Sequence, residues 1–337
     1  MNTVTDLQNM LQAARSFAQE KADTRTSAQE LKFTPDSTLV LPPTALGSLP
    51  PLTVTEHGYS QLFAKLGPSV FGRGSARSLP KDYLLAVPAD LRADILNRHL
   101  RDSNGRWLVR QYQATARAIL GSDYTVMDNL PLLERLEEAC QERGYPKEFK
   151  DPLVTPDDLH LRAVWGYAEG GLWGIGLYVG NNEIGSGKIK VKGLLKRTAC
   201  DNSLIWTMDS AVEFIHRGDA SIRWTAIARA VVEALKLGPG ILRRAHEAEA
   251  TEIPNFDEVL NGLAETYGWT PPQALSVATG TENQRTVMGV LNGLTWFAHN
   301  AELPPEERVR WESLAGDVLT GQARLPGVRF AAQAAEL

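Results

Sequence analysis

The sequence predicts an α+β fold: an antiparallel β-meander with packed helices, a helical C-terminal part and an N-terminal helical arm. Between Leu159 and Trp206 it reads LHLRAVWGY, GLWGIGLYVG and GKIKVKGLLKRTA, short apolar runs broken by Gly and Asn turn signals. Beyond residue 220 the apolar period changes to that of a helix. Strands followed by helices, without alternation, favour α+β over a doubly wound sheet.

The elements follow in chain order. Leu7, Met10, Leu11, Ala14 and Phe17 recur at helical spacing, so residues 4–21 form an amphipathic helix. Pro35, Pro42, Pro43, Pro50 and Pro51 then forbid continuous helix or central strand, which makes 33–51 an extended arm or linker. Two aromatic, apolar runs at 106–112 and 117–124 read as strands. Asp128 or Asn129 caps a helix that tolerates Pro131 in its first turn, places Leu132, Leu133, Leu136, Ala139 and Cys140 on one face, and stops at Gly144. After the meander, Ile222, Ile227, Ala230, Val231, Ala234 and Leu235 line a helix ending at Gly238-Pro239. Two more helices are expected at about 283–300 and 305–319, the second entered through Pro304-Pro305. The organisation expected is a helix and proline-rich arm (1–55), a mixed core (56–206), a helical part (207–320) and a tail (321–337).

The chain has 337 residues, 43% hydrophobic and 22% charged, which suits one large or two smaller domains. A net charge of −5 confines any polyanion site to a local patch. Cys140 and Cys200 lie far apart and outside any CxxC or Cys/His cluster, so no structural zinc or disulfide framework is expected. The first twenty residues lack a signal-peptide pattern and no run is long enough to cross a membrane, so a cytoplasmic protein is expected, in the host cytoplasm if phage-encoded.

Several catalytic motifs begin and fail. Gly185-Ser186-Gly187-Lys188 resembles the end of a phosphate-binding loop, but Asn182 replaces the earlier Gly and Ile189 the magnesium-holding hydroxyl. His246-Glu247 opens a zinc helix whose second histidine position is Ala250. Asp157 and Glu183, with Asp201 or Asp209, suggest a metal-dependent nuclease, yet Gly185 occupies the lysine position of that pattern, and a solvated turn is the simpler reading of Asp157-Asp158. No metal, cofactor or catalytic residue is expected.

The feature that stands out is the alternation of Lys188, Lys190 and Lys192 with Ile189 and Val191, which on a strand puts three ammonium groups on one face. Lys196 and Arg197 follow, and no acid lies between Glu183 and Asp201. An anion would relieve the mutual repulsion, whereas the alternative is a lysine-studded edge that blocks aggregation. Arg106, Arg110, Arg117, His216 and Arg217 add basic groups close to aromatic residues, the combination that holds single strands without sequence preference.

At these segments the chain resembles the phage/plasmid-like protein family, a domain of unknown function found on mobile elements. The matching runs are Arg117-Ala-Ile-Leu-Gly-Ser-Asp-Tyr124 continuing to Asp128-Asn129, and Asn181-Asn-Glu-Ile-Gly185. They continue with Cys200-Asp-Asn202, His216-Arg-Gly218, Asn292-Gly-Leu-Thr295, and Arg308 onward to Ala315-Gly316, covering about 106–317 in order. Asn182 stands where that family has a serine, and Ser203 where it has a glycine. The resemblance implies a mobile-element setting, and by analogy of a meander sheet, helices and a basic groove it points to single-strand annealing proteins. The expected function is therefore single-stranded DNA binding and annealing without covalent catalysis. The amphipathic N-terminal helix either docks on a neighbour, which would make a homo-oligomeric ring or filament, or folds back on its own domain. The alternatives are an interaction protein that blocks a host defence factor through its acidic body and proline-rich arm, and the nuclease.

Overall fold

A computed structural model describes residues 3–43, 47–71, 79–168, 171–198, 203–206, 212–328 and 330. The side chains at 68–71, 143, 212, 222, 228, 231 and 233–235 lie outside that description, as do Cys200, Asp201, Asn202 and Asp209. The fold is α+β, with sheets antiparallel except for one short parallel pair between residues 53–54 and 115–116, an N-terminal helix and a helical C-terminal part.

The chain opens with α1 (Thr3–Gln19) and runs into β1 (Lys21–Ser27), followed by a 3-10 turn, β2 (Lys32–Phe33), β3 (Leu39–Val40) and β4 (Thr53–Val54). Helices α2 (Glu56–Phe71), α3 (Lys81–Ala86) and α4 (Ala89–Asp102) precede the hairpin β5 (Arg106–Tyr112) and β6 (Thr115–Gly121). These strands make a four-stranded sheet in the order β1-β5-β6-β4. Its outer face meets α2 and α4 over a core that includes Phe33, Leu39, Leu52, Leu62, Phe63, Leu96, Trp107 and Val109. Its inner face, with Leu108, Ala118 and Leu120, turns towards the rest of the molecule.

Helix α5 (Asn129–Arg143) leads to the larger sheet: β7 (Glu148–Val154), β8 (Asp158–Ala168), β9 (Trp173–Asn182), β10 (Ile189–Arg197) and β11 (Ser203–Trp206), an antiparallel meander in the order β11-β10-β9-β8-β7. A short β12 (Val212–Phe214) also pairs with β10, ahead of β11. Alternation along the strands sorts the two faces. Leu161, Ala163, Leu177, Val179, Ile189 and Val191 pack into the main core with α1, α5 and α6 (Ala220–Ala250). The opposite face carries Arg162, Val164, Tyr178, Leu194 and Ile205 under α10 (Pro305–Thr320). The remaining helices are α7 (Phe256–Tyr267), α8 (Pro271–Gly280) and α9 (Val287–Asn300).

Several expectations are corrected here. The proline-rich segment is no free arm, because Phe33, Leu39, Leu41 and Leu52 are buried in the first core. Helix α1 covers its stripe within the chain: Leu7, Met10, Leu11 and Ala14 join the core that holds Leu132, Leu133, Leu136 and Cys140 of α5. The expected basis for a ring or filament is thereby removed. Helix α6 runs through Gly238-Pro239 to Ala250, since Ile241, Ala245 and Ala248 continue its buried face and outweigh the hydrogen bond that Pro239 forgoes. Ile227 and Ala230 are buried as expected, whereas the side chains of Ile222, Val231, Ala234 and Leu235 fall outside the described part.

Two glycines allow close layers. Gly193 lies under the Trp206 indole, its cross-strand partner, with no room for a side chain. At Gly316 a Cβ would stand 2.0 Å from the Ile205 carbonyl oxygen, so α10 rests directly on the β11 backbone. Gly316→Ala must lift the helix. The expected loss is about 1–3 kcal/mol, read as a lower urea midpoint, and an unchanged midpoint would show that α10 tolerates the shift.

Candidate functional site

The lysine face predicted from the alternation exists, and it floors a cleft of about 650 Å³. Lys188 precedes β10, while Lys190 and Lys192 lie within it. Their side chains descend into the cleft, with exposures of 49%, 15% and 8%. One wall is aromatic: Tyr267 and Trp269 flank Gly268, whose left-handed conformation ends α7, and Trp311 comes from α10. Ring centroids of Tyr267 and Trp269 are 6.4 Å apart, those of Trp269 and Trp311 5.1 Å, and Phe297 backs Trp311 at 4.5 Å. The rings thus form a ladder anchored in the core.

The cleft is not a basic groove. Carboxylates from distant parts of the chain answer the lysines: Glu213 of β12 accepts from Lys188 at 3.0 Å and Lys192 at 2.8 Å, and Glu306 in the first turn of α10 accepts from Lys190 at 2.9 Å. Burial would raise the Glu213 carboxyl, but the hydrogen bonds from Lys192 and Lys188 and their charges hold it at about 2. Arg310 lies exposed in the same cleft, which also has Glu307 and Asp317 in its lining, so cations and acids there balance. The repulsion among the lysines is relieved internally. Edge protection does not explain the row either, because β10 is an interior strand, flanked by β9 on one side and by β11 and β12 on the other.

The remaining predicted residues are dispersed. Lys196 pairs with Glu148 at 2.6 Å, and Arg197 lies over Trp173, with Glu249 3.9 Å away. Arg106 is exposed at the start of β5 in the other sheet. Arg217 pairs at the surface with Asp123, whereas His216 is buried, stacked on Tyr124 with centroids 4.8 Å apart, and burial pushes its imidazole down to about 4. Arg110 and Arg117 are a correction: both are buried between the sheets and have no surface to offer a strand.

Those two arginines converge on Glu183, at the end of β9, which is fully buried. Its carboxylate accepts from Lys21 at 2.7 Å through both oxygens, from Arg117 at 2.8 Å and from the Asn129 backbone N–H at 2.7 Å. Its backbone oxygen accepts from Arg110 and the Tyr124 hydroxyl, each at 2.8 Å. Asp23 and Asp128 hold the other nitrogens of Arg110, and Asp157 accepts from Arg117. Asp157 and Glu183 therefore do come together, as the nuclease reading required, but Arg117 joins them where a divalent cation would sit. Among the described residues no group of three His, Cys, Asp or Glu side chains could hold a metal.

No protein family, curated protein or solved structure matches this chain.

The near-motif at 185–188 and one cluster of serine, histidine and carboxylate resolve into local structure. Gly185-Ser186-Gly187 forms the β9–β10 turn, and its backbone amides at Ser186 and Gly187 donate to Asn182 Oδ1 at 2.8 and 3.2 Å, so the side chain occupies the place a phosphate would take. Ser203, His299 and Glu312 lie together beneath α10. Glu312 is the common acceptor, from Ser203 at 2.8 Å, His299 at 3.1 Å and Arg162 at 2.6 Å, while Ser203 and His299 are 3.4 Å apart. A nucleophile relay needs the serine on the histidine. Here the carboxylate gathers all three donors.

Sequence reasoning found the cleft floor and missed its walls. Tyr267, Trp269, Arg310 and Trp311 carry a readable signal all the same: Tyr267-Gly-Trp-Thr-Pro271 places two aromatics around a helix stop and the capping box of α8. Aromatics at such junctions do not follow the apolar period of either helix.

Proposed function

We propose that the cleft binds single-stranded DNA, with Lys188, Lys190 and Arg310 along the backbone and Tyr267 and Trp269 offering surfaces for bases, and that the protein promotes annealing without covalent chemistry. The observation that carries this reading is the aromatic ladder set against the lysine row across one open cleft. Lysines at alternate strand positions are spaced about 6.6 Å apart, comparable to successive phosphates of an extended strand. A row of that kind suits a polymer better than a single small anion. Stacking on the exposed Tyr267 ring and the half-buried Trp269 accepts any base, which fits annealing, where the sequence is read by the second strand.

The competing reading, an interaction protein that docks through its proline-rich segment, has no free arm to use, since Phe33, Leu39, Leu41 and Leu52 anchor that segment in the first core, although Pro35, Pro43, Pro50 and Pro51 remain exposed. Fluorescence anisotropy of a labelled oligothymidylate at low salt is the test, with a duplex of the same length beside it. The single strand is expected to bind more tightly, and affinity to fall as salt rises. Trp269→Ala is expected to weaken binding about tenfold, within the range for one lost base stack. Lys188→Gln should make the logarithmic salt slope shallower by about 0.7. A wild-type protein that leaves the oligonucleotide free at low salt ends the proposal.

A further inference from the structure

We infer that Glu213 and Glu306 act as built-in competitors for phosphate, so that the cleft rejects short anions and admits only strands long enough to displace both carboxylates. The inference rests on the single-strand reading of the same cleft and adds the rule by which it selects its ligand.

The geometry is that of an occupied site. Each lysine ammonium on the floor already has a carboxylate oxygen within 3.0 Å, and Glu213 bridges Lys188 and Lys192 on either side of Lys190, the residue it faces in register. The two acids come from separate elements: the three-residue strand β12, and the first turn of α10. Both are partly exposed, at 32% and 44%, so each can rotate into solvent without opening the core. Arg310 makes no ion pair among the described residues and is available for first contact.

A tethered carboxylate competes as if present at a high local concentration, on the order of millimolar for a short flexible connection. Inorganic phosphate or a mononucleotide meets that competition at one lysine at a time and gains little. A strand that touches Arg310, stacks on Trp269 and reaches Lys188 and Lys190 together gains from several contacts at once, and the exchange becomes favourable. The selection is therefore by length, and needs no sequence contact.

The experiment compares wild type with Glu213→Gln/Glu306→Gln, using oligothymidylates of about 4 and about 20 nucleotides as anisotropy probes and inorganic phosphate as competitor. Thermal melts establish that the variant is folded, which the exposure of both side chains favours. The wild type is expected to bind the long probe and leave the short one free. The variant should bind the long probe about three- to tenfold more tightly, in line with the loss of partly exposed ion pairs, should now hold the short probe, and should become sensitive to inorganic phosphate. If both proteins bind the long probe equally and the variant still ignores the short one, the carboxylates do not compete and the inference is overturned, while the binding reading stands. If neither protein binds the long probe, the binding reading itself has failed.

Discussion

Glu183→Gln is expected to destabilise the protein by about 3–5 kcal/mol, the range for breaking a buried ion pair from one side. The size follows from what is left behind. Lys21 sends both of its hydrogen bonds to that carboxylate and is itself nearly buried, and Arg117 has its second nitrogen there. Arg110 keeps Asp23 and Asp128, so the loss falls mainly on Lys21. In the native protein burial and the Asp128 charge push the Glu183 carboxyl above its ordinary range against the pull of Lys21 and Arg117, and burial lowers Lys21. Desolvation thus offsets much of the attraction, as it does for buried pairs generally, and the network contributes more to the seating of one sheet on the other than to net stability. Two controls separate this from a simple packing defect. Lys21→Met added to Glu183→Gln should restore part of the loss, because the stranded ammonium is gone. In the single variant the Lys21 ammonium loses the Glu183 charge that opposed its desolvation and is lowered further from 10.5, so the penalty recedes as pH rises towards that value. A urea midpoint that is the same for wild type and Glu183→Gln would show that the junction is held by apolar contacts alone.

This junction illustrates what the sequence could and could not convey. Arg110 and Arg117 sit on strands flanked by apolar residues, and a strand with one wet face would expose them as the basic reading assumed. Both faces of that hairpin are covered, one by α2 and α4 and the other by the β9–β10 turn, a fact of tertiary arrangement that alternation cannot reveal. The meander was legible because its strands are short, apolar and punctuated by Gly and Asn; α5 and α10 were legible through Asp128, Gly144 and the Pro304-Pro305 start. Helices α2 and α4 escaped notice, α2 because Gly58, Gly67 and Pro68 dilute its period. Helix α7 was a missed signal, since Phe256, Val259 and Leu263 keep strict helical spacing after Asn255. Of the candidate site, the lysine floor lies within one strand and could be read. The acids that neutralise it belong to β12 and α10, and only folding brings them across.

Acid is expected to unfold the protein in two steps, assignable to two buried groups in separate parts of the fold, His216 against Tyr124 and Glu312 of α10 against Arg162 of β8. His216 must stay neutral in its place against Tyr124: burial holds its imidazole at about 4, against an ordinary 6.5. The unfolded chain takes up a proton first, so stability falls as pH drops from 6.5 to 4 and levels off below. Glu312 behaves in the opposite sense. It is fully buried, and burial alone would raise its carboxyl, but the Arg162 charge and the hydrogen bonds from His299 and Arg162 outweigh this and hold it at about 2, against 4.5 when unfolded. Its contribution is complete above 4.5 and is lost as pH falls towards 2. Each step is worth on the order of 3 kcal/mol. Variants should remove the steps separately. His216→Phe keeps a ring on Tyr124 and forfeits the 3.3 Å hydrogen bond between Nδ1 and the Thr125 carbonyl, Nε2 having no partner among the described residues, so the upper slope should vanish at a cost of about 1 kcal/mol at neutral pH. Glu312→Gln strands the buried Arg162 and should lower stability at neutral pH by about 3–5 kcal/mol while flattening the lower slope. Replacing both partners, as Arg162→Met with Glu312→Leu, should recover much of that loss at every pH, because no buried charge is then left unpaired. Urea midpoints measured from neutral to strongly acid pH decide the matter. A wild-type profile that stays flat between 6.5 and 4 would contradict the role of His216, and a Glu312→Gln profile with the same acid slope as wild type would contradict that of Glu312.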